Sequence, residues 1–482
     1  MRGLLLALLL TTTVFAAQSE LKVRIADRVV SLPLERYVAA VLAGEDADER
    51  SDEALKAMAV AARTYAVDMR GRHAADGYDL CDSTHCQRVN PAAVTARLER
   101  AAADTAGEML WYGGKPAFTA YTSDCGGTTE DGAAPYLKSH PDVWCLHGPD
   151  SRWHWSADAN QIARVLKNAG LRAPNRLDRV SILNRTASGR ASVLLLSGPG
   201  ESVRMSASSF RFAIGRALGW NTLPSDAWNV NGGDGHFYFE GTGSGHGVGL
   251  CQRGAAQMGG AGHTYREILA YYYPGTTLGL NAAGLAWQHL SGEVISLATV
   301  QPDNDRIALS AAERLAKALS ARTAWPVPAG IEIRVYPDLD AFRNATGEPG
   351  WVAARTDGRR IHLQPVALLR SRGLVDSTLS HELAHVMMEA QAAPGLPLWF
   401  REGIVDYLGN ARTSGVARIP AEADLRQRSD PAAARRAYAE AEAMVASAVR
   451  TYGETTVLGW VKRGLPADVT KASISQTPTK SR

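Results

Sequence analysis

The sequence predicts an α+β chain folded as two separate domains, and three observations carry that expectation. Segments with apolar residues at helical spacing alternate, in both halves, with short runs of alternating polarity that end in glycine or proline turns. At 482 residues the chain has room for more than one core. Between the halves a mixed stretch, 284–305, runs into Gln301-Pro302-Asp303-Asn304-Asp305-Arg306 and reads as a linker. The expected domains are then 17–283 and 306–465, preceded by a signal peptide at 1–16 and followed by a polar, disordered tail at 466–482.

The signal peptide is read from Arg2, an apolar run from Leu4, and Val14 and Ala16 placed for cleavage after Ala16. It predicts a secreted, periplasmic or cell-envelope location. No later apolar run reaches the roughly 18 residues of a membrane span, so none is expected. With 52 basic and 49 acidic residues the net charge is only +3, which gives no electrostatic footprint for nucleic acid and fits a neutral or polymeric substrate better. The five cysteines, Cys81, Cys86, Cys125, Cys145 and Cys251, form an odd set. At least one thiol must be free, metal-bound or paired outside the chain.

In order, an alternating strand from Leu21 leads to a helix opened by Pro33. A second helix starts at Ser51, a good N-cap, with Asp52 and Glu53 in its first turn and Leu55, Met58, Ala59, Ala62, Tyr65, Ala66 and Met69 on one stripe. Glu45 sits in the break between them, a carboxylate at a helix end beside an apolar wall. Such a place raises a carboxyl pKa, which makes Glu45 the candidate catalytic acid. Downstream, Cys81, His85 and Cys86 fall within six residues, with His73 before them. Thiolate and imidazole are zinc ligands, yet C-x4-C is not the usual knuckle and the same thiols suit a disulfide. A hairpin is expected to run to Tyr121 around Gly113-Gly114, with a loop at Cys125, Gly126 and Gly127 after it. A helix ending near Gly170 and a hairpin turning at Ser188-Gly189 follow. The glycine-rich stretch 241–259 holds His246, Cys251 and Gln252 and reads as a substrate-facing loop leading into a helix, after which a further helix stops at Pro274.

Six blocks in this half occur together in one known family: ALKAMAVAARTYAV at 54–67, CDSTHCQ at 81–87, AYTSDCGGTTE at 120–130 with PYL after it, SGRASVLLL at 188–196, GHGVGLCQRGAAQM at 245–258, and ILAYYYPGT at 268–276. Over about residues 20–282 the chain resembles the stage II sporulation protein D and amidase-enhancer family. The resemblance implies a lytic transglycosylase acting on peptidoglycan glycan strands, with Glu45 as its acid and Arg63, Tyr121, Ser123, His246 and Gln252 lining the groove. It equally allows a non-catalytic glycan-binding module that enhances a cell-wall amidase. It also implies zinc at Cys81, His85 and Cys86. The chain departs from the family in having Asp46-Ala47 where many members have Met-Pro, Met58 where they have Gln, and Cys125 and Cys251 where many have Ser. The paired replacement leads to an expected Cys125–Cys251 disulfide.

In the second half a helix over 311–322, a strand from Ile331 and a hairpin turning at Asp357-Gly358 precede His381-Glu382-Leu383-Ala384-His385. On a helix the two histidines share a face, about 6 Å apart along the axis, and can grip one zinc ion. Glu382 lies beside it as general base, and Glu402, at the start of a second helix, supplies a third ligand and leaves one position open. With Trp399, Glu402-Gly403 and Tyr407 in a W-x-x-EG-x-x-x-Y segment, residues 306–465 resemble the glutamate-zincin metallopeptidases. That resemblance implies a peptide or protein substrate, Zn2+ on His381, His385 and Glu402, and Tyr407 as an oxyanion helper.

Overall fold

A computed structural model describes residues 20–45, 51–147, 151–233, 235–409, 417–427, 429–467 and 469. The expected signal peptide, the Asp46-Ala47 departure and nearly all of the expected tail lie outside them. The chain is mixed α+β and divides into two compact units, one spanning Glu20–Leu285 and one beginning at Ala286.

The first unit opens with β1 (Leu21–Ile25) and β2 (Arg28–Leu32), an antiparallel pair, then α1 (Leu34–Glu45) and α2 (Asp52–Asp68). β3 (Leu80–Cys81) joins β1 in parallel, and α3 (Ala96–Asp104), β4 (Met109–Tyr112) and β5 (Lys115–Pro116) follow. Ser51 caps α2 as expected, its hydroxyl accepting from the Ala54 N–H. Every residue from Ala54 to Ala66 except Lys56 is buried, because α2 is surrounded on all sides rather than laid on a surface. β6 (Tyr121–Thr122) leaves the expected hairpin, whose strands run to Pro116 with one further bond from the Ala117 N–H to the Leu110 carbonyl at 2.8 Å. Next come α4 (Val143–Leu146), β7 (Arg152–Asp158), α5 (Ala159–Asn168), β8 (Arg179–Arg185), β9 (Ala191–Gly198), β10 (Glu201–Ser206), α6 (Ala207–Leu218), β11 (Trp228–Gly233) and β12 (His236–Thr242). Two three-stranded antiparallel sheets, β10-β9-β8 and β11-β12-β7, enclose with α5 and α6 a second core around Phe210, Trp228 and Phe239. The unit closes with β13 (Leu250–Cys251), α7 (Gln252–Gly260), α8 (Tyr265–Tyr272) and β14 (Thr277–Gly279). β13 pairs in parallel with β6, Leu250 opposite Tyr121 and Cys251 opposite Thr122. That pair brings the 121–130 loop against the glycine-rich one, with Asp124 bridged to Ser244.

The second unit is built from β15 (Gln288–Ser291), β16 (Ile295–Thr299), α9 (Pro302–Thr323), β17 (Ile331–Val335), α10 (Leu339–Thr346), β18 (Ala354–Asp357), β19 (Arg360–Leu363), α11 (Val366–Ser371), α12 (Val375–Glu389), α13 (Leu398–Leu408), α14 (Glu422–Leu425), α15 (Pro431–Tyr452) and α16 (Glu454–Arg463). Its sheet runs β15-β16-β17-β19-β18, parallel in the centre with an antiparallel strand at each edge.

Two sequence expectations need correction here. The stretch 284–305 is not a linker: it carries β15, β16 and the first turn of α9. Its polar Pro302-Asp303-Asn304-Asp305 run is a helix start, where proline has no N–H to lose and acids meet the positive end of the dipole. The Cys125–Cys251 disulfide is absent. All five cysteines are free and buried, and the Sγ of Cys251 instead accepts the backbone N–H of Cys125 at 3.3 Å. Among the described residues no helix is long and apolar enough to cross a membrane.

Candidate functional site

Glu45 is the last residue of α1, partly buried, and its position depends on the adjacent Gly44. A Cβ at Gly44 would lie 2.4 Å from the carbonyl oxygen of Arg88, so only bare backbone lets the helix end meet the 86–89 segment. That contact sets the acid. The Arg88 N–H donates to Glu45 Oε1 at 2.7 Å, and the Tyr121 hydroxyl donates to the same oxygen at 3.4 Å. Gln87, fully buried, orients Tyr121: its Nε2 donates to the tyrosine oxygen at 3.0 Å while its Oε1 accepts from Tyr37 at 2.9 Å. Burial raises the Glu45 pKa, against the smaller opposing pulls of Arg88 and Tyr121. Gln87 did not register as functional in the sequence, although it closes the CDSTHCQ block.

The remaining groove candidates separate. Tyr121 reaches Glu45, and Ser123 is exposed two residues further on. His246 is exposed on the facing loop, its Nδ1 accepting from the Val248 N–H at 3.0 Å, and the next residue, Gly247, donates to Thr122 Oγ1 at 3.2 Å. Gln252 is buried in the first turn of α7. Arg63 does not line a groove. It is 0% exposed, and its guanidinium clamps the Glu35 carboxylate through Nε and Nη2 and donates to the carbonyls of Ala102 and Glu108. Its place in the middle of the most buried helix dictates this: an arginine there must find its partners inside.

Cys81, His85 and Cys86 are joined by His73, and the four ligand atoms lie within 4.8 Å of one another. β3 carries Cys81 into the sheet, and the chain from His73 is tied back by the His73 N–H to the Asp79 carbonyl. The Asp76 carboxylate lies 3.5 Å from His73 Nδ1, leaving Nε2, 3.4 Å from Cys86 Sγ, toward the cluster. Two thiols and two imidazoles at this separation fit a closed tetrahedral zinc site.

In the second unit α12 presents His381 and His385 on one face, Nε2 to Nε2 3.2 Å, and α13 brings Glu402 to 3.3 Å from His385. The three ligand atoms lie within 4.8 Å of one another, a fit for one zinc with a position left open. Glu382 is buried beside them, its Oε2 accepting from the Thr356 hydroxyl of the edge strand β18 at 2.6 Å. Asp406, one turn after Glu402, accepts from His381 Nδ1 at 2.9 Å, which fixes that ring with Nε2 toward the ligand cluster. Sequence reading passed over Asp406, although its i+4 spacing from Glu402 placed it on the same face. Tyr407 departs from its expected role. It lies about 140° around α13 from Glu402, and its ring packs beneath the Arg322 guanidinium, 5.2 Å from centroid to carbon.

The family profile described as Stage II sporulation protein matches residues 24–112, which hold Glu45 and the His73–Cys86 cluster. A profile for a domain of unknown function, DUF8618, matches residues 147–249, the stretch built around the second core of the first unit. An uncharacterized protein of Brachyspira hyodysenteriae is 30% identical over 258 residues, covering 52% of this chain and 67% of that protein. The Amidase enhancer of Bacillus subtilis is 28% identical over 276 residues, 47% of this chain but only 38% of the relative. The Stage II sporulation protein D of Bacillus amyloliquefaciens is 27% identical over 275 residues, covering 52% of this chain and 75% of the relative.

Proposed function

The chain belongs, through its first unit, to the stage II sporulation protein D family, and on that premise we propose a cell-envelope enzyme whose first unit cleaves peptidoglycan glycan strands with Glu45 as general acid. The observation that supports it is the Glu45 carboxyl itself, with a pKa raised by burial and held by the Arg88 N–H and Tyr121. In the protonated form it gives its proton to the glycosidic oxygen as the bond to the muramic acid anomeric carbon breaks. The sugar's own 6-hydroxyl then attacks that carbon and closes a 1,6-anhydro ring. Its proton returns to Glu45, so no water is consumed and no second carboxylate is needed.

The second unit is proposed as a zinc peptidase, on the separate support of the His381, His385 and Glu402 cluster. Zinc bound there would supply Lewis acidity, lowering the pKa of water to about 7 and polarising a peptide carbonyl. Glu382 takes the proton from the attacking water and passes it to the leaving amine, while Thr356 holds its carboxylate. Asp406 holds His381 in the tautomer that leaves Nε2 for the metal.

The glycan activity is tested by digesting purified peptidoglycan, intact and stripped of stem peptides, with wild type, Glu45→Gln and, as control, Glu382→Gln, and reading the products by mass spectrometry. Anhydro-muramyl products that vanish only with Glu45→Gln are expected. The name of the Amidase enhancer relative favours one second reading, in which the first unit binds glycan and stimulates a cell-wall amidase. Undiminished amidase stimulation by Glu45→Gln, with no glycan cleavage by zinc-loaded wild type, would establish it instead.

A further inference from the structure

The first unit contains a second cysteine cluster that the proposed chemistry does not use. Cys125, Asp142, Cys145 and Cys251 each offer one ligand atom, and these atoms lie within 4.8 Å of one another. All four residues are at most 2% exposed. We propose that they bind a zinc ion, a closed structural site distinct from the His73–Cys86 cluster.

The donor set is three sulfurs and one carboxylate oxygen. Zinc–sulfur bonds of about 2.3 Å put tetrahedral ligand atoms about 3.8 Å apart, a separation this cluster reaches with small side-chain movements. The surroundings are arranged for negative sulfur. Cys251 is the N-cap of α7, and its Sγ accepts backbone N–H groups from Cys125 at 3.3 Å and Gly254 at 3.4 Å. Donors of this kind support metal-bound thiolates from the outer shell. Asp142 is oriented on both oxygens: Oδ1 caps α4 through the Cys145 N–H at 3.1 Å, and Oδ2 accepts from the Tyr272 hydroxyl at 2.9 Å and from the Cys125 thiol at 3.2 Å. α7 approaches that carboxylate with bare backbone, since a Cβ at Gly254 would fall 2.0 Å from the Tyr272 oxygen and 2.7 Å from Asp142 Oδ2.

Charge gives an independent argument. Loading the site releases three thiol protons and leaves three thiolates and a carboxylate around a dication, a net charge of about −2. Two arginines, Arg190 buried and Arg253 partly buried, stand beside it. Arg190 donates from Nη2 to the Cys125 carbonyl at 2.6 Å, and Arg253 pairs from Nη1 with Asp124, whose other oxygen accepts the Cys145 thiol at 3.0 Å. The Nε and Nη1 of Arg190 and the Nε and Nη2 of Arg253 are buried and meet no acceptor among the described residues. Cationic groups left in this condition are costly beside neutral thiols and favourable beside an anionic metal cluster.

The cysteine count closes on the same answer. Two thiols belong to the His73–Cys86 cluster and three to this one, which uses all five. A disulfide framework would always leave one over. The ion would pin three segments far apart in the chain, the loop after β6, the start of α4 and the start of α7. It would thereby hold β6, and with it Tyr121, against β13.

The test uses the full-length protein purified without reductant or chelator. Zinc per chain is measured for wild type and Cys145→Ser, and wild type is alkylated under denaturing, non-reducing conditions and mapped by mass spectrometry. One zinc fewer in the variant, with Cys125, Cys145 and Cys251 all alkylated in wild type, is expected. Equal zinc in both proteins, or a disulfide joining any two of the three, overturns the proposal. If Cys145→Ser does not fold, wild type loaded with cobalt decides. Thiolate-to-cobalt charge-transfer intensity equivalent to three or five sulfurs per chain supports the site, and intensity equivalent to two or none overturns it.

Discussion

Replacing Arg63 by methionine should destabilise the first unit without touching the proposed glycan chemistry. Arg63 is 0% exposed and Glu35 5%, so the variant leaves a carboxylate inside the protein whose remaining hydrogen bond is the Gly107 N–H at 3.1 Å. It also removes the Arg63 donors from the Ala102 and Glu108 carbonyls, which they meet at 3.0 and 3.1 Å. Removing one partner of a buried, hydrogen-bonded ion pair costs about 3–5 kcal/mol. That is a large share of the about 5–15 kcal/mol by which domains are stable. The urea midpoint followed by far-UV circular dichroism should fall by roughly 1–2 M. Replacing both residues, as Glu35→Met with Arg63→Met, should recover part of the loss, because the uncompensated charge goes with its partner. Glycan cleavage per folded molecule should stay near the wild-type value. A variant within about 1 kcal/mol of wild type that no longer cleaves glycan would refute the structural assignment of Arg63 and return it to the groove.

With Glu45 as the proposed general acid and its pKa raised by burial, glycan cleavage should be full at low pH and fall as pH rises through that pKa. Tyr121→Phe removes a hydrogen bond that favours the ionised acid, and the descending limb of the pH–rate profile should move upward. Gly44→Ala drives a methyl into the Arg88 carbonyl and should cost about 1–3 kcal/mol by urea melt, with lowered turnover because the Arg88 N–H shifts from Glu45. Asp406→Asn should weaken zinc binding in the second unit about 10- to 100-fold in competition with a chromophoric chelator, leaving glycan cleavage unchanged.

What could be read from the sequence follows the range over which each constellation is encoded. The His381–His385 pair with Glu382 is set by helical periodicity alone, and its geometry appears in the structure on α12 as spacing demands. Glu45 at a helix end and Ser51 as an N-cap are local in the same sense. Arg63 was misassigned because a block of similar residues says that a position matters without saying which way its side chain faces. Only the closure of α1 and α3 around α2 reveals that it faces inward. The β7–β12 region was legible only as one helix and one hairpin, since its second core depends on β12 pairing with β7 across some eighty to ninety residues.

The cysteines carry that reasoning one step further. Cys125, Cys145 and Cys251 lie on separate segments, and no spacing rule connects them; the parallel pairing of β6 with β13 and the short α4 do. A pairwise rule applied to two of them yields a disulfide and leaves the third unexplained. With all three and Asp142 in one buried place beside two arginines, the odd count becomes the natural consequence of two clusters, one with two thiols and one with three. A metal-loaded site there would make first-unit stability, and the seating of Tyr121 on β6, depend on zinc. Chelation should therefore lower the melting temperature of the first unit and, with it, the proposed glycan turnover.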